Sequence, residues 1–126
     1  MRIFAAAAAL AATASAASAQ QATSLKCVGT EPFWGLTITA SAMWFSDMDD
    51  KRTDLAPVKP RNAIGRPADL VRVYQTRRVK DGATVTLVVK RNYERCTDNM
   101  SDKEFAYDAF YVTPEGVYQG CCSWEK

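Results

Sequence analysis

The chain has 126 residues, with 16 basic and 14 acidic side chains, a formal net charge of +2 and no histidine. This near balance of charge gives no reason to expect a nucleic-acid partner. The lack of histidine excludes Ser-His-Asp and Cys-His nucleophiles as well as histidine-ligated zinc, and with them much hydrolytic chemistry. We therefore expect neither catalytic residues nor a cofactor.

The first residues have the pattern of a secretory signal peptide. Arg2 precedes a short apolar run and then a stretch of Ala, Ser and Thr, which contains an A-x-A cleavage pattern at residues 17–19. The alternative is a helix of the folded domain, because Ala has the highest helix propensity, although such small side chains offer little bulk for a core. The apolar run is shorter than the roughly 20 residues that span a bilayer. We predict a signal peptide over residues 1–19 and a periplasmic or secreted product without a transmembrane span.

The remaining residues, 20–126, have the size of one domain. They begin with a polar lead over residues 20–26. Alternation of large apolar with small or polar residues then predicts a strand over 34–39, and a second short strand over 42–46 completes a hairpin. Residues 47–68 carry prolines and a glycine among charged side chains without a sustained period, so we expect the longest irregular stretch there, of a kind that is usually functional or mobile.

The second half of the domain predicts two further hairpins. Strands over 70–79 and 84–90 flank an Asp-Gly turn, which is the strongest short signal for a hairpin. A polar loop over 92–102 follows, and strands over 105–112 and 117–123 flank a Thr-Pro-Glu-Gly turn. With about six strands and almost no helical periodicity, the domain is predicted to be all-β: a small antiparallel meander curled into a barrel or sandwich.

Four cysteines, Cys27, Cys96, Cys121 and Cys122, make an even number in a small exported domain, which predicts two disulfides. Their spacing does not resemble a zinc site. Because neighbours in a strand point to opposite faces, Cys121 and Cys122 should reach different partners. We favour Cys96–Cys121 with Cys27–Cys122, and the swapped pairing stays open.

Three spaced motifs carry a resemblance to known proteins. Cys27–Trp34 reads C-V-G-T-E-P-F-W, Cys96–Asp102 reads C-T-D-N-M-S-D, and Gly120–Cys122 reads G-C-C. In this order they resemble a family of uncharacterised bacterial envelope proteins, described as lipoproteins or membrane proteins, that share G-T-E-P-F-W, C-x-D-G-M-S-D and a C-terminal G-C. Asn99 replaces the usual glycine, which is tolerable because Asn also adopts positive φ. Lys26 stands where a lipoprotein signal needs a small residue, so the resemblance implies an envelope location without lipid anchoring.

Six motif residues are candidates for a ligand or partner surface: Glu31, Phe33, Trp34, Asp98, Ser101 and Asp102. The first three offer an acidic and aromatic pocket. The favoured alternative is that a proline turn leads into the strand while the two aromatic rings plug one end of the barrel. The last three have oxygen atoms of the kind that Ca²⁺ binds, but they lack the D-x-D-x-D-G spacing, which favours side-chain-to-backbone turns instead.

Together these features predict a non-enzymatic binding or interaction module of the cell envelope, whose partner is an unknown envelope protein or a small ligand. The alternative is a periplasmic inhibitor of lysozyme-type peptidoglycan hydrolases. Such inhibitors are also small exported β-barrels with disulfides, and Ser101 and Lys103 would donate hydrogen bonds to the carboxylates of a lysozyme cleft. A hydrolase that uses Glu31 with a loop aspartate and a purely structural envelope role are the remaining alternatives.

Overall fold

The computed structural model describes residue 3, residues 5–12 and residues 23–126. This part of the chain contains nine β-strands and no helix. In chain order the strands are β1 (Ser24–Thr30), β2 (Phe33–Ile38), β3 (Met43–Ser46), β4 (Arg52–Leu55), β5 (Arg61–Asn62), β6 (Val71–Arg77), β7 (Thr84–Thr97), β8 (Glu104–Thr113) and β9 (Gly116–Glu125).

The nine strands form one antiparallel sheet in the order β4-β3-β2-β1-β9-β8-β7-β6-β5. The first and last of them, β1 and β9, are neighbours in the middle of this order. The sheet curls into a half-barrel, and its far strands approach each other where Leu55 forms a bridge with Arg78. Two backbone hydrogen bonds of 2.9 Å, from Ala56 N to Arg77 O and from Val79 N to Asp54 O, strengthen this seam.

Alternation of side chains builds the core on the concave face of the sheet. β8 shows the pattern best, because Phe105, Tyr107, Ala109 and Tyr111 are buried while their neighbours are more exposed. The same period of two runs through β2 and the first half of β7. The main core cluster consists of Leu25, Cys27, Trp34, Leu36, Ile38, Met43, Phe45, Leu55, Tyr74, Val85, Leu87, Val89, Tyr107, Ala109, Tyr111 and Cys122.

The all-β antiparallel prediction is confirmed, but the strand count of about six is wrong. The segment predicted as a polar lead over residues 20–26 instead enters β1 at Ser24, where Leu25 and Cys27 are buried and Lys26 between them is exposed. The segment expected to be irregular over residues 47–68 contains β4 and β5, which are only 4 and 2 residues long. A strand of 2 to 4 residues is too short to show an alternating sequence pattern. β4 and β5 are recognised only by their pairing with β3 and β6.

The loop predicted over residues 92–102 is also partly wrong. β7 continues to Thr97, but its pairing with β8 is interrupted between Arg91 and Cys96 by a register shift. Arg95 in this bulge and Asn99 beyond it have positive φ angles of 75° and 61°. The bulge turns the end of β7 out of the regular ladder, which lets the following residues cross the outer face of the sheet.

Both disulfides form in the favoured pairing. Cys27 and Cys122 are opposite residues of β1 and β9, and their side chains lie inside the half-barrel. Cys96 and Cys121 are joined on the outer face. The neighbours in β9 thus reach different partners, as the alternation of side chains in a strand requires.

Residues 5–12 form no regular structure and are exposed, so the domain-helix alternative is not observed there. The predicted cleavage pattern at residues 17–19 and the expected mature start at Gln20 lie outside the described residues. Within the described ranges, no helix is long and apolar enough to cross a membrane.

Candidate functional site

A cleft of about 230 Å³ opens on the outer face of the sheet where three distant segments meet. Val28–Glu31 from the end of β1 and Gln119–Cys121 from β9 line it on the sheet side. The segment Cys96–Asn99, which follows the bulge in β7, lines it on the other. The three sequence motifs are therefore brought to one place in the fold.

Two attachments, in addition to the pairing of Cys96 and Thr97 with β8, hold the segment Cys96–Asn99 against the sheet. The Cys96–Cys121 disulfide links it to β9. The Thr30 hydroxyl at the end of β1 donates a hydrogen bond of 2.9 Å to the main-chain carbonyl of Asp98. The position of this wall of the cleft thus depends on one covalent bond to β9, one hydrogen bond to β1 and the two-residue pairing with β8.

The glycines of the first and third motifs are required by close packing. A Cβ atom on Gly29 would lie 1.9 Å from Nε1 of Trp34, and a Cβ on Gly120 would lie 2.0 Å from the carbonyl oxygen of Val28. No side chain fits at either position without movement of the neighbouring atoms. These two glycines therefore let β1, β9 and the Trp34 ring approach one another below the cleft.

The structure places Trp34 in the core. Its side chain is 5% exposed, and its indole N–H donates to the carbonyl of Gln119 at 3.2 Å. Its ring packs against Phe45, Tyr111 and Tyr118 with centroid separations of 6.2, 6.4 and 5.9 Å. Such an aromatic cluster stabilises the interior of the half-barrel, and Trp34 contributes to the cleft only by supporting its floor.

Glu31 and Phe33 are exposed, at the turn between β1 and β2. Glu31 is part of the cleft lining. Phe33 is 54% exposed and is not part of that lining. Of the three candidates in the first motif, only Glu31 therefore presents a charged group to the cleft.

Asp98 caps its own loop. Its Oδ1 accepts hydrogen bonds from the main-chain N–H groups of Met100 and Ser101 at 3.0 and 2.9 Å, and the Ser101 hydroxyl donates to Oδ2 at 2.9 Å. Hydrogen bonds from Ser101 N–H, Met100 N–H and the Ser101 hydroxyl hold the pKa of Asp98 below its ordinary value. This is the side-chain-to-backbone turn that the sequence favoured over a calcium loop.

The same loop carries Asp102 and Lys103, both exposed. The Ser101 hydroxyl oxygen accepts a hydrogen bond from the main-chain N–H of Lys103 at 3.3 Å. This hydroxyl therefore both donates and accepts a hydrogen bond within the loop. The Lys103 ammonium lies 5.2 Å from the centre of the Phe105 ring. Among the residues that the structure describes, no group of three or more Cys, Asp or Glu side chains is arranged to hold a metal ion.

A second polar cluster, which the sequence analysis missed, lies near the start of β6. The Asp69 carboxylate accepts hydrogen bonds from the Tyr107 hydroxyl, from Arg72 and from Arg91. Burial acts to raise the pKa of Asp69, but these hydrogen bonds and the two positive charges outweigh it and lower that pKa. Trp124 completes the cluster by donating from Nε1 to the Tyr107 hydroxyl at 3.2 Å. Its members are spread over four elements, and no local sequence pattern could have revealed their convergence.

Gln119 is the cleft residue that lies outside the three motifs of the sequence analysis. It directly precedes Gly120 of the third motif, so proximity to that motif was the only available signal. The segments that carry the resemblance to the envelope family therefore share one cleft, and the resemblance itself rests on these motifs alone. No family model, curated protein or solved structure matches the chain.

Proposed function

We propose that this chain is an exported cell-envelope protein that acts as a non-enzymatic binding module, with the cleft between β1, β9 and the segment Cys96–Asn99 as its binding site. The observation that supports this proposal is the convergence of three motifs, far apart in sequence, on one cleft. A motif that served only the core would have no need to supply a solvent-facing charged group such as Glu31.

The size of the cleft indicates what it accepts. Pockets for whole small molecules measure about 300–1,000 Å³, whereas this cleft measures about 230 Å³. It therefore suits one side chain or one terminal group of a larger partner. Its lining contains two acidic residues, Glu31 and Asp98, and no lysine or arginine, so a positively charged group such as a primary amine is the complementary occupant.

Binding is better supported than catalysis. A general base needs a pKa near the working pH, but the pKa of Asp98 is lowered by the groups that donate to its carboxylate. Those hydrogen bonds also hold the carboxylate within its own loop. Asp98 is therefore poorly suited to accept a proton beside Glu31.

An extracytoplasmic location is supported by the chemistry of the cysteines. Disulfides persist in oxidising compartments and are rare elsewhere, and both disulfides here are formed between cysteines of the domain. Native mass spectrometry of the protein recovered from its own cell envelope tests this location. We expect the mass of residues 20–126 less four hydrogens. A mass that retains residues 1–19 would contradict the signal-peptide proposal.

The binding proposal is tested by NMR titration of the oxidised protein with the amide of N-acetyl-lysine, with the amide of N-acetyl-glutamine as a neutral probe. We expect the amide signals of Gly29, Thr30 and Gly120 to shift with the lysine probe alone. Glu31→Gln should abolish these shifts. Asp49→Asn, which removes the same charge from an exposed position outside the cleft, should leave them unchanged. Equal shifts with both probes, or none, would contradict a site for cations.

The lysozyme-inhibitor alternative has less support. It requires Ser101 to donate its hydroxyl proton to a lysozyme carboxylate, while that hydroxyl lies 2.9 Å from Oδ2 of Asp98. An assay of lysozyme activity with a large molar excess of the purified protein tests it. Inhibition that is lost in Ser101→Ala and Lys103→Ala would favour the inhibitor over the cleft-binding proposal.

A further inference from the structure

The two disulfides occupy different environments. Cys27 and Cys122 are both 0% exposed and belong to the main core cluster. Cys96 and Cys121 instead line the cleft on the outer face of the sheet. Of this second pair, Cys121 is 1% exposed, while Cys96 is only partly buried. Cys96 is therefore the more accessible residue of this disulfide.

The Cys96–Cys121 bond is also the covalent attachment of one wall of the cleft. Beyond the bulge, β7 pairs with β8 through only two residues, Cys96 opposite Phe105 and Thr97 opposite Glu104. The remaining link to the sheet is the hydrogen bond from the Thr30 hydroxyl to the Asp98 carbonyl. A single hydrogen bond near the surface contributes little net free energy. The disulfide is therefore the strongest single restraint on this wall of the cleft.

We propose that Cys96–Cys121 is a site of thiol–disulfide exchange with a dithiol, and that its reduction releases the segment Cys96–Asn99 from β9. A thiolate of the dithiol attacks Sγ of Cys96, and Sγ of Cys121 leaves as a thiolate and takes up a proton. The second thiol of the dithiol then attacks the mixed disulfide, which releases Cys96 as a thiol. Two electrons and two protons pass to the protein, and the dithiol becomes a disulfide.

The neighbouring disulfide is protected during this exchange. Cys121 and Cys122 are adjacent in β9, but their side chains point to opposite faces of the sheet. A thiolate at Cys121 therefore lies across the sheet from the Cys27–Cys122 bond. The barrel keeps its internal cross-link while the cleft wall is freed. The proposed exchange does not rest on the proposed function of the cleft. Only an effect of the released wall on ligand binding rests on that function.

The experiment is differential alkylation. The full folded protein is incubated with reduced dithiothreitol without denaturant, trapped at intervals with a thiol-alkylating reagent, and mapped by peptide mass spectrometry. We expect Cys96 and Cys121 to be labelled at least about tenfold faster than Cys27 and Cys122, because thiolate access sets the rate of exchange. Labelling of all four cysteines together, or of none before the protein unfolds, would overturn the proposal.

Release of the wall is measured separately by NMR. In the selectively reduced protein we expect the amide signals of Thr30 and Met100 to shift, while those of Leu87 and Val89 in the core stay in place. The double variant Cys96→Ser/Cys121→Ser, which retains Cys27–Cys122, should give the same spectrum. Unchanged signals at Thr30 and Met100 after reduction would refute the release. Failure of the lysine probe to bind would instead count against the cleft function and leave the labelling result intact.

Discussion

At the residue scale, the contact between Gly29 and the Trp34 ring controls how closely β1 and β9 pack below the cleft. The indole N–H reaches the Gln119 carbonyl on β9, and this reach is possible because Gly29 has no side chain. The Trp34 ring also packs against Phe45, Tyr111 and Tyr118, so a shift of this ring would disturb the interior of the half-barrel.

Gly29→Ala should therefore destabilise the protein by about 1–3 kcal/mol, as overpacking in a well-packed region does. The added Cβ would lie 1.9 Å from Nε1 of Trp34, so the ring must move and its hydrogen bond to Gln119 is strained. Urea unfolding monitored by tryptophan fluorescence measures the change.

The matched control is Gly35→Ala on β2, where the nearest atom to the added Cβ is the Cys27 carbonyl oxygen at 3.8 Å. That distance is ordinary contact, so we expect stability within about 1 kcal/mol of the parent, since Gly-to-Ala changes at compatible positions are mild. Equal losses in Gly29→Ala and Gly35→Ala would show that strand glycines matter only for flexibility and would refute the packing explanation.

Individual site residues could be recognised from the sequence more easily than their arrangement. The turn at Asp98 and Ser101 was predictable, because short polar side chains bind nearby main-chain N–H groups locally. The cleft was not predictable, because it depends on Thr30 contacting Asp98, 68 positions away. Likewise, Asp69 and Tyr107 are 38 positions apart, and no pattern within either segment indicates that they meet.

At the element scale, the bulge in β7 separates a regular hairpin from the segment that forms the cleft wall. Pairing of β7 with β8 is continuous from Thr86 to Arg91 and resumes only at Cys96. The alternation of Val85, Leu87 and Val89 revealed the first part of this strand in the sequence. The second part, residues 92–97, has no such alternation, so the sequence predicts a loop there. Long alternating strands were therefore predictable, whereas short or bulged ones were not.

Removing each disulfide should have a different effect on stability. Cys96→Ala/Cys121→Ala opens a link between residues 25 positions apart, which costs about 3 kcal/mol in the chain-entropy model. Cys27→Ala/Cys122→Ala opens a link across 95 positions, which costs about 4–5 kcal/mol in the same model and also leaves space in the core. Urea unfolding of both double variants gives the comparison.

We expect the variant without Cys27–Cys122 to be the less stable of the two. The variant without Cys96–Cys121 should keep a cooperative unfolding transition, since its missing bond lies outside the main core cluster. The reverse order of stabilities would mean that the cleft wall, rather than the barrel interior, holds the fold together.

At the scale of the whole molecule, the half-barrel is packed around a cluster of aromatic rings. Phe45, Tyr111 and Tyr118 lie with ring centroids 5.1–6.1 Å apart, and Trp34 packs against all three. Tyr111 is 1% exposed. Burial raises the pKa of Tyr111 to about 12, with the nearby Glu115 adding to the effect and Arg78 opposing it.

This raised pKa predicts a loss of stability at alkaline pH. The neutral phenol is favoured in the folded state, so its contribution is fully present below the unfolded pKa of about 10. It is lost as pH rises from there through the folded value of about 12. Urea midpoints between pH 9 and 12 test the prediction, with Tyr111→Phe as the comparison because it cannot ionise. Parallel curves for the two proteins would show that Tyr111 does not cause the decline.

The pairing of β1 with β9 has a consequence for the order of folding. β1 is synthesised before every other described strand, and β9 after all of them, yet they are hydrogen-bonded neighbours with Ser24 opposite Glu125. Contacts this distant in sequence form slowly. During folding the Cys27 thiol therefore cannot pair with Cys122 until β9 is in place, and until then β1 keeps one open edge to which other chains can bind. The native sheet is therefore complete only when the last of the described strands pairs with the first.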